Sequence, residues 1–339
     1  MTGPDVHGDR NEPSGAVPIL PGRHRALVVA DIHSNIQALD AVLAHVRGQG
    51  GFTEVWVLGD VMGYGPNPNE VVTRLRDLQA SGIPVRAVGG NHDHAVVGKR
   101  DAHRTMGGHP AVASDWTAGV IDAVSHAWLE ALPDTVEVGP VDRRGVPLFT
   151  LVHGVPTSPQ DRYTHERGQA RRALGQIATR HLVTGHTHLL LALRFADDQI
   201  GTVHPDRLRT GNGTSFEIAG GRFVLNPGSV GQPRDGDPRA SCLVLDFGAT
   251  ESEGVVVAVH RVSYDIATVQ SRIREAGLPR YPRDRLADRK DEWTDWMVVT
   301  GDAWLQRDAV DAPPAPFPAR HGIRSRARVR QNRCVRPAQ

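Results

Sequence analysis

Short apolar runs alternate with amphipathic segments in the first third of the chain. Residues 26–30 (Ala-Leu-Val-Val-Ala) form a continuous apolar run, typical of a strand buried on both faces. Apolar residues then recur at helical spacing over 36–46, with Ser34 or Asn35 as the predicted N-cap. The pattern repeats as a strand at 55–58, a helix at 69–78 with Asn69 as its predicted cap, and a strand at 85–88. This order predicts parallel strands with helices on the faces of a sheet.

Apolar runs follow one another more quickly in the second half of the chain. Predicted strands lie at 148–152, 182–184, 189–195, 223–225, 241–246 and 255–262, and a helix at 266–275 closes the series. Such short connections favour antiparallel pairing in this half. Between the halves, apolar residues keep helical spacing from Val112 to Trp128, which predicts a small helical insert at about 100–132.

Composition excludes several classes of protein. The chain has 339 residues, and its 39 Lys+Arg against 38 Asp+Glu give a net charge of +1, too small to attract nucleic acid or a membrane surface. No apolar run approaches the ~18 residues of a membrane span, and no secretory signal is visible, so we expect a cytoplasmic protein. With only Cys242 and Cys334, neither a disulfide framework nor a paired-cysteine zinc site is possible.

The two ends of the chain differ from the middle. Residues 1–22 are rich in Gly, Pro, Asp and Asn, which predicts a disordered leader. Residues 301–339 become Pro-rich and then Arg-rich, which predicts a solvated tail or, less simply, an arm that contacts an acidic partner. One folded domain is therefore expected over 23–300. The polar, Gly-rich stretch at about 197–218 is interpreted as an insertion in a hairpin.

Metal-ligating residue types follow the predicted strands at the points where the strands end. In open α/β sheets, ligands bind beyond the carboxyl ends of the strands, so these side chains are expected to share one edge. A single Asp or His in such a place is usually a cap or a surface group, but five successive strand ends are hard to explain by chance. The residues are Asp31 and His33, Asp60, Asn91 with His92 and Asp93, His153, and His186 with His188.

The donor types favour transition metals. Asp31 and His33 are two positions apart, as are His186 and His188, so each pair points to one side of an extended segment. Imidazole and carboxylate together suit Mn, Fe, Co, Ni or Zn and are too nitrogen-rich for Mg²⁺ alone. Two Asp, one Asn and at least four His give seven candidate ligands, enough for two ions with a bridging carboxylate. Two metals ~3.5–4 Å apart hydrolyse phosphoesters by clamping the phosphate and holding a hydroxide for in-line attack.

These motifs resemble those of the calcineurin-like metallophosphoesterases, and more narrowly the bacterial YfcE-type branch. The resemblance extends over about 24–276, including the Pro/Gly-rich segment 226–241. It implies an α/β fold of the four-layer α/β/β/α sandwich type with mixed sheets. The motifs that carry it are DIHSN at 31–35, GDVMGYGP at 59–66, GNHD at 90–93, VHG at 152–154 and GHTH at 185–188.

The resemblance implies a role for each matching residue. The first metal would be held by Asp31, His33 and His188, and the second by Asn91, His153 and His186. Asp60 would bridge both ions. His92 would stabilise the phosphoryl oxygen of the transition state or protonate the leaving group. Asp93 would orient His92 by accepting its ring N–H.

One departure from related phosphatases concerns phosphate binding. Serine/threonine phosphatases and symmetrical dinucleoside tetraphosphatases carry Asp-Arg-Gly where this chain has Gly63-Tyr64-Gly65, and GNHE where it has GNHD. Arg234 and Arg239 are candidate replacements for the missing arginine, because guanidinium groups clamp phosphate. The alternative for both is an ion pair on a surface loop.

The sequence therefore predicts a dinuclear metal-dependent phosphoesterase. It would hydrolyse phosphodiesters or phosphomonoesters through attack of a metal-bound hydroxide, with two divalent ions from Mn, Fe, Ni, Co and Zn. A nucleotide-specific hydrolase of dinucleoside polyphosphates or cyclic nucleotides is the main alternative. A non-catalytic protein-binding scaffold of the same fold is a weaker one, because every ligand and His92 are present. The expected partner is a small phosphate ester or nucleotide.

Overall fold

The computed structural model describes residues 19–164, 166–196, 199–202 and 214–287. The predicted Arg-rich tail, most of the predicted leader and much of the 197–218 insertion lie outside these residues. No helix within the described part is long and apolar enough to cross a membrane.

Six strands form the first sheet in the order β3-β2-β1-β11-β12-β9. Strands β1, β2 and β3 run parallel to one another, as the βαβαβ order predicts, while β11 is antiparallel to both of its neighbours. The strands are β1 (His24–Val29), β2 (Glu54–Leu58), β3 (Val85–Val88), β9 (Ser215–Glu217), β11 (Ala240–Phe247) and β12 (Val255–Val262).

Six further strands form the second sheet in the order β4-β5-β6-β10-β7-β8. Its centre, β5-β6-β10, is parallel, and its other pairs are antiparallel. The second half of the chain thus contains the expected antiparallel pairs beside a parallel centre, as mixed sheets require. The strands are β4 (Thr135–Val141), β5 (Pro147–Val152), β6 (His181–Thr184), β7 (Leu190–Ala196), β8 (Gln199–Thr202) and β10 (Arg222–Pro227).

Helices cover the outer faces of the two sheets. Apolar side chains of α1 and α2 pack on the first sheet, and those of α7 pack on the second. Between the sheets, Trp56, Phe149, Leu225 and Leu245 belong to one buried core. These four layers confirm the predicted α/β/β/α sandwich. The helices are α1 (Ile36–Gly48), α2 (Pro68–Ala80), α3 (Asn91–Val96), α4 (Ala102–Thr105), α5 (Gly108–Val120), α6 (Ala123–Glu130), α7 (Arg167–Leu174), α8 (Ile266–Glu275) and α9 (Arg280–Arg285).

Helix caps agree with the sequence in one case and differ in another. Asn35 caps α1, because its side chain accepts a hydrogen bond from the N–H of Ala38. Helix α2 begins at Pro68, one residue before the predicted cap. Asn69 instead donates to the carbonyl of Val120 and accepts from the N–H of Asp122, so it fastens the turn between α5 and α6.

The helical insert buries a different face from the one that its apolar residues suggest. The helix is interrupted between α5 and α6, and the side chains of Val112, Val120 and Val124 are exposed. Small side chains allow α5 to approach α3 and α4 closely, so they take the buried face. The buried residues of α5 are Ala111, Ala113, Ser114 and Thr117.

Phe149 tests the central core. Its ring is fully buried and lies 5.5 Å from that of Trp56. We expect Phe149→Ala to lower the free energy of unfolding by about 3–5 kcal/mol, because the sandwich cannot collapse fully around the lost ring. Urea denaturation followed by circular dichroism measures this. Val256→Ala, at an exposed position of β12, should change it by less than about 0.5 kcal/mol. Equal midpoints for the two variants would contradict this packing.

Candidate metal centre

Five loops meet at one edge of the two-sheet sandwich, and each begins where a strand ends. Strands β1, β2 and β3 lead into three of the loops, and β5 and β6 lead into the other two. The structure brings together all nine side chains that the sequence placed at strand ends, and all are buried. They are Asp31, His33, Asp60, Asn91, His92, Asp93, His153, His186 and His188.

The backbone is strained in three of these loops, those that follow β1, β2 and β6. Among the described residues, every non-glycine residue with a positive φ belongs to them. Such a conformation costs roughly 1–3 kcal/mol where the side chain is not glycine. Hydrogen bonds between the loops hold this backbone: the N–H groups of Asp31 and His33 donate to the backbone carbonyls of Gly59 and Asp60, at 3.1 and 3.0 Å. The strained residues are Asp31, His33, Ser34, Asp60, Tyr64, His186 and His188.

A first group of donors combines Asp31, His33, Asp60 and His188, whose ligand atoms all lie within 4.8 Å of one another. The Nε2 atoms of His33 and His188 are 3.2 Å apart. Nε2 of His188 lies 3.3 Å from Oδ1 of Asp31, and Nε2 of His33 lies 3.8 Å from Oδ2 of Asp60. Two imidazoles and two carboxylates therefore surround one small volume.

A second group shares Asp60 with the first and adds His153 and His186. Nε2 of His153 lies 3.3 Å from Oδ2 of Asp60 and 3.0 Å from Nδ1 of His186. Oδ1 of Asn91 is 3.1 Å from Nε2 of His153. The two groups thus meet at one carboxylate oxygen of Asp60.

Backbone carbonyls fix the orientation of three of these imidazoles. Nδ1 of His33, His153 and His188 lies 2.8, 2.7 and 2.6 Å from the carbonyl oxygens of Met62, Leu58 and Gln232, respectively. A carbonyl oxygen only accepts, so Nδ1 must carry the proton, and in the neutral ring Nε2 is left with its lone pair. These lone pairs face one another and the carboxylates, an arrangement that fits a bound cation.

Burial makes the negative charge of the centre costly. It raises the pKa of Asp31 to about 8, with a further contribution from the charge of Asp60. Burial also opposes ionisation of Asp60, but His153 and His92 hold its pKa well below the usual range. For His153, the effect of burial is outweighed by Asp60 and Asp31, which raise its pKa to about 9. The two carboxylates therefore require positive charge beside them, which divalent cations supply.

His92 lies beside the donors without belonging to either group. Its ring packs edge-on against His33 and is tilted against Tyr64, at centroid distances of 4.9 and 4.6 Å. Its Nδ1 is buried and has no hydrogen-bond partner among the described residues. Gly63, with φ +92°, is required here, because a Cβ at this position would collide with the His92 ring.

Asp93 differs from the role that the resemblance implies. Its Oδ1 accepts the N–H of Met62 and its Oδ2 accepts that of Gly90, both at 2.9 Å. Among the described residues, the Asp93 carboxylate therefore joins two loops through backbone N–H groups and is not hydrogen-bonded to the His92 ring. The backbone N–H of His92 donates instead to Oδ1 of Asp60. The start of α3 is thus held by both carboxylates.

The two candidate arginines lie in different surroundings. Arg234 is half-buried, its N–H donates to the carbonyl of His188 at 3.3 Å, and its charge acts on Asp31 and His92. Arg239 is bound through Nε and one terminal nitrogen to the carboxylate of Asp237, at 3.0 and 2.6 Å. The structure thus places Arg234 at the centre and Arg239 in a local ion pair.

Tyr163 was not anticipated from the sequence. It lies in the loop between β5 and α7, and its ring stacks on that of His186. No motif marks this loop. The one local signal is Gly154, directly after His153. A glycine there indicates that another backbone segment packs closely, but it does not identify that segment.

Comparisons with known proteins agree with this geometry. The profile of the calcineurin-like phosphoesterase superfamily domain matches residues 25–250. A solved metallophosphoesterase from Sphaerobacter thermophilus is 34% identical, with a TM-score of 0.62; the match covers 79% of this chain and 99% of that one.

Two archaeal proteins extend the comparison. An uncharacterized protein of Methanocaldococcus jannaschii is 30% identical over 261 residues, or 76% of this chain and 96% of that protein. A hypothetical protein of Pyrococcus horikoshii OT3, 19% identical, shares the fold with a TM-score of 0.61 over 79% of this chain and 99% of that one.

Proposed function

The chain belongs to the calcineurin-like phosphoesterase superfamily and is a hydrolase acting on phosphoric esters, and we propose that it works with two divalent metal ions that share Asp60. The observation that carries this proposal is the overlap of the two donor groups at one carboxylate. Oδ2 of Asp60 lies 3.8 Å from Nε2 of His33 on one side and 3.3 Å from Nε2 of His153 on the other. A bridging carboxylate is the shared ligand that such a pair of ions needs.

The remaining donors divide between the two ions. Asp31, His33 and His188 would hold the first, and Asn91, His153 and His186 the second. The nitrogen-rich set favours Mn, Fe, Co, Ni or Zn. When bound, such ions supply Lewis-acid charge that clamps a phosphate and activates water for attack on phosphorus.

His92 would act on the substrate. Its buried Nδ1, the packing of its ring and its backbone bond to Asp60 fix it beside the donors without including it among them. A neutral imidazole still carries one N–H, so the ring donates a hydrogen bond to a phosphoryl oxygen or to the leaving group.

Arg234 would bind the substrate phosphate. The half-buried guanidinium contributes positive charge on the side of the centre that carries His188 and Tyr163. It would replace the arginine that related phosphatases carry at the position of Tyr64. Phosphomonoesters and phosphodiesters both present the oxygens that such a group binds.

Metal reconstitution tests the proposed function. After chelation, the protein should be inactive toward p-nitrophenyl phosphate and bis-p-nitrophenyl phosphate. Mn²⁺, Co²⁺, Ni²⁺ or Zn²⁺ should restore hydrolysis of at least one ester as two ions bind per chain. Full activity in metal-free protein, or with a single ion per chain, would contradict the proposal.

Asp60→Asn tests the bridge. It keeps the shape of the side chain and an acceptor for the N–H of His92, but removes the charge between the two ions. We expect metal binding weaker by about 3–5 kcal/mol, as when one partner of a buried ion pair is lost, and loss of activity with it. Elemental analysis after dialysis measures this, with Asp77→Asn on the exposed face of α2 as the control. Two tightly bound ions in Asp60→Asn would exclude a bridging role.

His92→Ala separates catalyst from ligand. The variant should keep both ions and the fold, but lose about 10²–10⁴ in kcat, the usual contribution of a positioned acid or donor. Alkyl phosphates should be affected more than nitrophenyl phosphates, because nitrophenolate leaves without a proton. If the variant loses metal, His92 is a ligand; if its rate is unchanged, the reaction does not use this ring.

Arg234→Ala and Arg239→Ala form a matched pair on one loop. Loss of Arg234 should reduce kcat/KM by the equivalent of about 2–4 kcal/mol at unchanged metal content, because one preorganised positive group is removed. Loss of Arg239, whose charge is paired with Asp237, should leave kcat/KM near that of the wild type. Equal kinetics for the two variants would contradict the assignment.

A further inference from the structure

One imidazole of the candidate centre is held differently from the others. His33, His153 and His188 each donate Nδ1–H to a backbone carbonyl. His186 turns its Nδ1 toward the centre, 3.0 Å from Nε2 of His153, and no carbonyl of the described residues is hydrogen-bonded to its other ring nitrogen. The orientation of this ring therefore needs another restraint.

Its backbone alone does not provide one. The φ of His186 is +67°, and its N–H donates to the Asp31 carboxylate at 3.1 Å. These contacts fix where the side chain starts, but the ring can still turn about χ2. Half a turn would carry Nδ1 away from the centre and bring carbon in its place.

Tyr163 supplies a flat surface against this ring. The two ring centroids are 4.2 Å apart with an angle of 13° between the planes. By contrast, the His153 and His186 rings are inclined by 57°, and His33 and Tyr64 by 60°. A parallel contact this close covers one face of the imidazole and opposes rotation about χ2.

The loop that carries Tyr163 is itself fixed. It folds back over Gly154, whose N–H donates to the carbonyl of Pro159 at 2.6 Å. A Cβ at Gly154 would lie only 2.7 Å from the carbonyl oxygens of Pro159 and Arg162, so only glycine admits this path. An ion pair between Arg100 and Asp161 ties the loop to the segment after α3. Tyr163 is thus presented on a restrained loop.

We propose that Tyr163 is a positioning residue, which holds the His186 imidazole with Nδ1 toward the second donor group. The inference rests on the proposed function for its consequence, since His186 is a proposed ligand of the second ion. The stacked ring, and not the hydroxyl, does the positioning. The effect should be confined to one of the two ions, because the first donor group does not include His186.

Metal titration of three variants tests the consequence. Co²⁺ is titrated into the metal-free protein against a competing chelator, and its visible absorption reports the coordination of each ion. Tyr163→Leu, which removes the flat ring, should weaken one of the two sites about 10–100-fold, as loss of an outer partner of a ligand does. Tyr163→Phe, which keeps the flat ring, should retain the wild-type affinity for Co²⁺ and the wild-type spectrum. Tyr281→Leu, which removes another tyrosine stacked on a histidine, His109, is the control and should match the wild type.

Two results of the titration would overturn the inference. Wild-type affinity at both sites in Tyr163→Leu would show that the stack does not position a ligand. An equal loss in Tyr163→Phe and Tyr163→Leu would assign the effect to the hydroxyl.

A measurement on the metal-free protein separates this inference from the proposed function. In ¹⁵N-histidine-labelled protein, the ring signals of His186 should be sharp in the wild type and in Tyr163→Phe, and broadened by ring rotation in Tyr163→Leu. Unchanged signals in Tyr163→Leu would overturn the positioning role. If the wild type binds fewer than two ions while this pattern holds, the proposed function fails and the positioning role stands.

Discussion

Buried nitrogen and oxygen atoms that can bind a cation converge on one small volume at the edge of the two sheets. Oδ2 of Asp60 is an acceptor, as is Nε2 of His33, His153 and His188 in the neutral ring, and these atoms lie 3–4 Å from one another or from a further acceptor. Acceptors repel at such distances unless a positive charge lies between them. Burial raises the pKa of Asp31 to about 8, so the ionised form of this carboxyl also needs a positive charge beside it. The divalent cations proposed at the two donor groups would supply this charge.

The fold holds these atoms together although three of the loops that carry them have a strained backbone. Parallel strands in both sheets deliver their carboxyl ends to one edge, and left-handed residues at those ends turn the side chains inward. The cores between and outside the sheets are formed by other residues, so strain at the edge does not interrupt them. Carbonyls of Leu58 at the end of β2, of Met62 in the loop that follows β2, and of Gln232 in the loop between β10 and β11 then set the imidazole tautomers. The strands thus form the cores, and the candidate metal ligands lie in the loops that follow the strands.

The sequence predicted those parts that depend on local pattern. Apolar runs that end in Asp or His located the strand ends, because a buried strand must be apolar and a ligand must be polar. The apolar spacing predicted the helical insert but not its buried face: Val112 is exposed, since close packing of α5 selects small residues there. The contacts of Asp93 with Met62 and of Tyr163 with His186 could not be derived, because each joins two different loops. Tertiary packing decides such contacts, and spacing along one chain does not encode them.

The proposed sharing of Asp60 by two ions can be tested by anomalous diffraction. A crystal of the protein loaded with Mn²⁺, measured at the manganese absorption edge, should show two anomalous peaks about 3.5–4 Å apart, one on each side of the Asp60 carboxylate. One peak should lie among Asp31, His33 and His188, and the other near His153 and His186. A single peak, or two peaks that leave Asp60 uncoordinated, would show that Asp60 does not bridge two ions.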